Sequence, residues 1–218
     1  MATDLLETLP LAQRLALSYA PRRIHAPTLA ILALDARLAG IIRVDGEPVI
    51  AQMKLAWWRD RLAQDPAQWP IGEPLLALLQ QSGLYSPQLS PLVDGWEMLL
   101  SDSLGSEEIT GFARGRALAW AAVASSAGQS AANDAVEQAG RTWALADLAF
   151  NLGTEEESTK TRAAAQAESE GQPKLPSLLR PLTVLRGLAV RALWRDAGEL
   201  LDGPGAMATA LRLGILGR

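Results

Sequence analysis

Apolar positions recur at helical spacing along most of this chain, and no segment carries a credible strand run. Residues 4–18 place Leu5, Leu9, Ala12, Ala16 and Tyr19 on one broad face, predicting a first helix that Pro21 and Arg22-Arg23 interrupt. A second helix is expected over about 27–43, with Pro27 in its first turn, where a missing N–H does no harm. This segment is Leu, Ile and Ala almost all round, the mark of a central, buried helix; Asp35 and Arg37 are its only charges before Arg43. Val44-Asp45-Gly46 reads as a turn, and Pro48 opens a third helix to about residue 64. Short helices follow over 75–81 and 92–100, separated by loops at Pro66–Gly72 and Pro87–Pro91. Ser106-Glu107-Glu108 signals a helix start, because acids in a first turn complement the helix dipole. That helix runs Ala-rich to about 127, and further helices are expected over 131–152, 176–201 and 206–216. Residues 154–174 are polar and nearly devoid of large apolar groups, which predicts a flexible loop. The pattern as a whole predicts an all-α, single-domain helical bundle of eight to nine helices spanning residues 1–218.

Composition narrows the chemistry. The chain has 218 residues, 49% of them hydrophobic, enough for one sizeable core, and seven of its eleven aromatic residues are Trp. A formal charge of −4 without a long basic block argues against nucleic acid as a partner. With no Cys there is no disulfide, thiolate metal site or thiol nucleophile, and the single His25 rules out multi-histidine metal sites. The N-terminal MATDLLETLPLAQ has acids where an export signal would carry positive charge, and no uninterrupted apolar run reaches the roughly 18 residues of a membrane-spanning helix. A cytoplasmic protein is the expectation, with peripheral contact to the inner membrane left open.

Three ordered segments resemble the squalene/phytoene synthase family. LALDARLAGIIRVDGEPVIAQMKLAWWRDRL at 32–62 is similar to that family's buried early helix, turn and Trp-Trp-Arg helix. EPLLALLQQSGLYSPQLSPLVDGWEMLLSD at 73–102 is similar to a family stretch in which a short helix leads into a Gly-x-Glu element. AGRTWALADLAFNLG at 139–153 resembles the helix that carries the family's second aspartate motif. The resemblance covers most of residues 5–200 and implies the isoprenoid synthase fold. Within the family the chain looks most like the degenerate branch that resembles mitochondrial complex I assembly factors.

Enzymes of this family ionise an allylic diphosphate, whose leaving group needs magnesium held by carboxylate oxygens on two facing helices. The resemblance puts the first aspartate motif on Ala39, Gly40 and Arg43, none of which is a magnesium ligand. It puts the second on Asn151 and Glu155, with Asp147 one turn earlier, so that Asp147, Asn151 and Glu155 share an i, i+4, i+8 stripe. The helix that bears a catalytic tyrosine in the family has Phe112 instead. No catalytic residue and no resident cofactor are therefore expected, magnesium entering only if prenyl transfer survives on the residual stripe.

Other residues carry expectations of their own. Arg22, Arg23 and His25 suggest either an anion site at a cavity mouth or a solvated basic turn. Trp57 and Trp58 point about 100° apart on a helix, so one should be core and the other should line a groove or pocket. Arg37 and Arg43, if buried, need acidic partners, for which Asp147 and Glu97 are the candidates; Arg59 and Asp60 should form surface or helix–helix pairs. The small side chains of Ala117–Ala127 permit close helix approach or leave a lipid-sized cavity. Leu178–Trp194 is amphipathic and could rest on an anionic membrane through Arg180, Arg186, Arg191 and Arg195. Three functions follow: a non-catalytic protein that binds a protein partner or an isoprenoid-like apolar lipid and assists assembly of a membrane complex; an active magnesium-dependent prenyltransferase; or a dimerising structural domain.

Overall fold

The computed structural model of the chain describes residues 2–43, 47–195 and 197–217. Among these residues it contains eleven α-helices, four short 3-10 turns and no strand. The helices are α1 (Ala2–Glu7), α2 (Leu11–Leu17), α3 (Arg22–Arg43), α4 (Pro48–Ala63), α5 (Pro74–Ser82), α6 (Ser90–Met98), α7 (Ser106–Ser126), α8 (Asn133–Ala149), α9 (Glu155–Ser169), α10 (Arg180–Trp194) and α11 (Pro204–Leu216). The all-α class agrees with the hydrophobic pattern, while the count exceeds the expected eight to nine. Pro10 accounts for one extra helix: it stands in extended backbone (ψ 150°) at the N-terminus of α2 and divides the expected first helix. Pro27, conversely, lies inside α3, which begins at Arg22. The turn expected at Val44-Asp45-Gly46 lies outside the described residues.

The second extra helix corrects the loop expected at 154–174. Thr154 caps α9, its Oγ1 accepting from the Glu157 N–H at 3.4 Å and donating to the Glu157 carboxylate at 2.7 Å. Glu155, Glu156 and Glu157 then fill the first turn, where the dipole favours acids. The helix buries only Thr161, Ala165 and Ser169. Such small side chains let α9 lie directly on α8, and Arg141 of α8 ties it down through Glu168 at 2.9 Å.

At the centre α7 is sandwiched between α6 and α8, and α8 in turn carries α9 and α10. The approaches are close because glycine sits at the crossings. A methyl group on Gly140 of α8 would come within 2.8 Å of the Ala117 Cα on α7, and one on Gly115 of α7 would meet the Pro91 carbonyl oxygen of α6. The small-residue stretch of α7 thus serves close helix approach at Ala117, while Leu118, Ala121, Ala122 and Ser125 border a cavity of about 260 Å³. Buried Trp120 and Trp143 meet edge to face at 6.2 Å where α7 crosses α8. α3 packs against α4, α5, α6 and α7. It is the one helix among the described residues long and apolar enough to cross a membrane, yet 67% of its most apolar window is buried inside the fold. The apolar face of α10 is likewise interior, with Leu182, Leu185, Leu188 and Leu193 buried, so of the membrane face expected on Leu178–Trp194 these leucines are taken up by packing and Trp194 stays exposed.

Candidate functional site

Asp35 of α3 and Asp147 of α8 face one another across the core, and Arg116 of α7 stands between them. Arg116 Nη2 donates to Asp35 Oδ2 at 2.6 Å and Nη1 donates to Asp147 Oδ2 at 2.8 Å. Trp96 of α6 donates its indole N–H to Asp35 Oδ1 at 2.9 Å. The Arg116 side chain is 1% exposed, and its guanidinium lies 3.8 Å from the Trp143 ring centroid and 5.3 Å from that of Phe112. The aromatic faces thus complement the cation where no oxygen reaches it. Burial raises the Asp35 carboxyl above its usual range, against the pull of Arg116. Burial alone would lower Arg116, but the paired carboxylates outweigh it and hold the guanidinium charged.

A polar cavity of about 200 Å³ opens beside this triad, lined also by Gln13, Ala39, Gly40, Arg43 and Asn151. Ala39, Gly40 and Arg43 of α3 therefore face the same space as Asp147 of α8 and Asn151 just beyond it. Arg43 Nη2 donates to Asn151 Oδ1 at 3.0 Å, and Asn151 Nδ2 donates to the Asp147 carbonyl at 2.7 Å. Glu155 departs from the expected stripe. α8 ends at Ala149, the helical phase is lost, and Glu155 lies exposed in the first turn of α9.

The residues present do not fit a magnesium ion. Both carboxylates facing the cavity are engaged by Arg116, the Asn151 oxygen is engaged by Arg43, and the space between the acids is filled by a guanidinium. Among the described residues, no three His, Asp or Glu side chains gather as a metal-binding group. A fixed internal cation balances charge where a divalent ion would need open oxygen ligands.

Adjoining the polar cavity, with Thr8, Ala36 and Gly40 shared between the two, lies a larger and more apolar pocket of about 610 Å³. Ala33, Ala36, Ile41, Trp57 and Trp58 line it, with Arg37, Lys54 and Glu73 as its polar groups. Trp58 is buried and Trp57 is 38% exposed, the two rings meeting edge to face at 5.0 Å. This is the division that their adjacent positions predict. Arg37 pairs with Glu73, the N-cap of α5, at 3.4 Å and lies 5.9 Å from the centroid of the Trp58 ring. Gly40 borders both cavities, and a methyl group there would meet nothing within 4 Å.

No family model, curated protein or solved structure matches the chain. The site's capabilities therefore rest on its own geometry.

Several expectations are displaced. Arg37 and Arg43 are both exposed, and their partners are Glu73 and Asn151 rather than Asp147 and Glu97. Glu97 instead accepts from Arg59, which also pairs with Asp94 at 2.7 Å, so Arg59 ties α4 to α6. Arg22 and His25 are exposed at the start of α3 and line neither cavity. Among the described residues the buried arginine is Arg116, which none of the sequence expectations names. A signal was present: Ile109, Phe112, Arg116, Trp120 and Val123 form one helical row, and a charge within such a row is carried into the core.

Proposed function

We propose that this protein is a catalytically silent helical domain of squalene/phytoene synthase type that binds an apolar, chain-like ligand in the pocket beside α3. The observation that carries the silence is the Asp35–Arg116–Asp147 bridge. Ionising an allylic diphosphate requires cations free to take up pyrophosphate oxygens, whereas this guanidinium is spent on two carboxylates and shielded by three aromatic rings. The kinship itself is supported by the way Ala39, Gly40 and Arg43 oppose Asp147 and Asn151 across one cavity. Ligand binding is supported by the 610 Å³ pocket, whose size and mixed lining fall within the range typical of small-molecule sites, about 300–1,000 Å³. An apolar chain would lie along Ala33, Ala36 and the two Trp rings, with a polar end toward Arg37 and Lys54. A cargo- or partner-dependent role in assembling a membrane complex is the physiological form of this reading.

The test is titration with farnesol and with farnesyl diphosphate plus magnesium. Saturable quenching of tryptophan emission by farnesol, weakened by Ala36→Phe, is the expected result. Magnesium-dependent pyrophosphate release above background that Asp147→Asn abolishes would overturn the silent reading. Absence of farnesol binding up to its solubility limit would overturn the ligand.

A further inference from the structure

Charge is unevenly spread along this acidic chain. Residues 171–218 contain seven Lys and Arg against three Asp and Glu, while the remainder contains thirteen against twenty-one. The positive C-terminal segment surrounds a cleft of about 870 Å³ between α10, α11 and the strand-free connection after α9. Lys174, Arg186, Trp194 and Arg212 line this cleft, with Glu170 as its one acidic side chain. Arg186 donates to the backbone carbonyls of Ser169 and Gly171, its Nε is buried with no partner, and among the described residues no carboxylate pairs with it. Burial without a counter-charge lowers its pKa, so an arriving anion would relieve the desolvated cation.

α11, which gives Arg212 and Leu213 to this cleft, also carries an exposed apolar row. α11 buries Ala206, Ala210 and Leu213 against the body of the protein. It turns Met207, Leu211 and Ile215 outward at i, i+4 and i+8, and each is more than half exposed. Trp194, at the end of α10, is 64% exposed beside Arg212. An indole, a row of aliphatic side chains and a cluster of cations with no carboxylate partner among the described residues form the pattern of an interfacial helix.

We propose that the face formed by α11 and the Lys174–Arg186–Arg212 cleft docks on an anionic phospholipid surface, with a lipid phosphate in the cleft and Trp194, Met207, Leu211 and Ile215 in the headgroup–acyl boundary. Charge complementarity selects this occupant over a second copy of the chain, because a symmetric pairing through α11 would bring two positive clefts together. The site is separate from the pocket beside α3, so it stands whether or not that pocket holds a ligand.

The experiment is sedimentation with vesicles of phosphatidylcholine alone and of phosphatidylcholine mixed with phosphatidylglycerol. Wild-type protein is expected to bind only the anionic vesicles and to be released by salt. Lys174→Glu and Arg212→Glu, both at exposed positions, should each weaken partitioning at least about fivefold, the factor equivalent to ~1 kcal/mol for a cation near such a surface. Leu211→Asp should weaken it without removing the salt dependence. Equal binding to both vesicle types, or none to either, overturns the proposal. So does saturable binding of inorganic phosphate in the cleft without vesicle binding, or a wild-type dimer that Leu211→Asp dissociates while vesicle binding is unchanged.

Discussion

Arg116 on α7 donates to Asp35 on α3 across a 2.6 Å contact that solvent does not reach, joining two helices that otherwise meet through apolar side chains. Removing one member of a buried charge pair leaves the other without compensation, at about 3–5 kcal/mol. Arg116→Met should lose stability on that scale. Without the guanidinium, burial and the facing Asp147 both push the Asp35 carboxyl above the 3.8 of a free aspartate. A carboxylate raised in the folded state penalises folding fully above its folded pKa, and the penalty fades as pH falls toward the unfolded value. The variant should therefore lose less at about pH 5 than at about pH 8. Urea unfolding at the two pH values checks this, and a loss independent of pH would contradict it.

The same bridge should be replaceable as a unit. Buried ion pairs exchanged for apolar residues of similar volume are often neutral or stabilising by about 1–4 kcal/mol. Asp35→Leu with Arg116→Met and Asp147→Leu should recover most of the single variant's deficit. Trp96 would lose its acceptor at Asp35, so Trp96→Phe added to the triple should recover more. Tm values across this series report whether the bridge gives net stability or chiefly specifies how α3, α7 and α8 register.

Glycines in this fold have opposite roles that one measurement separates. Gly140→Ala forces a methyl against the Ala117 backbone, and overpacking of this kind costs about 1–3 kcal/mol. Gly40→Ala, in the interior of α3 with open space around it, should instead stabilise by about 0.5–1 kcal/mol through helix propensity. A melt of each variant settles the pair of signs.

The hydrophobic pattern made the helical class legible, and with it the buried course of α3 and the split between Trp57 and Trp58, because burial imprints a 3.6-residue period wherever large apolar side chains carry the packing. It failed where packing is carried by small residues. α9 shows no apolar stripe since the residues it buries, Thr161, Ala165 and Ser169, are all small; its sequence signature is the Thr154-to-Glu157 cap rather than a hydrophobic face. The triad was half legible. Asp35 stands out as the lone acid in an apolar helix, and Asp147 was singled out, but no local rule couples them to Arg116, which is 81 residues from Asp35 and 31 from Asp147. Arg43 stands where the resemblance puts a magnesium ligand, but its hydrogen bond to Asn151 depends on the facing of α3 and α8, which is a tertiary fact.

Because α9 rests on its cap and first-turn acids more than on buried area, it should be the part of the bundle most sensitive to a single polar change. Thr154→Ala removes the cap at a cost of about 1 kcal/mol, falling on a helix with little core to offset it. Amide exchange should accelerate across 155–161 and remain unchanged in α8, whose own core contacts persist. Uniform acceleration in both helices would mean that they open as one unit.

The last expectation concerns Arg37 and Glu73 at the apolar pocket. Their side chains are 41% and 24% exposed and meet at 3.4 Å, so solvent screens the pair and its contribution to stability should stay below about 1 kcal/mol. Neither Arg37→Gln nor Glu73→Gln should shift Tm appreciably. Their effects on an apolar ligand with an anionic end should be opposite. Glu73→Gln removes the competing carboxylate, leaving Arg37 and Lys54 to face the ligand together, and should tighten binding of a carboxylate such as farnesoic acid. Arg37→Gln should weaken it and leave farnesol, which has no charge, nearly unaffected. Calorimetric titration of both ligands into both variants tests the assignment. If the acid and the alcohol respond alike, the cations do not orient the ligand, and the pocket selects by apolar shape alone.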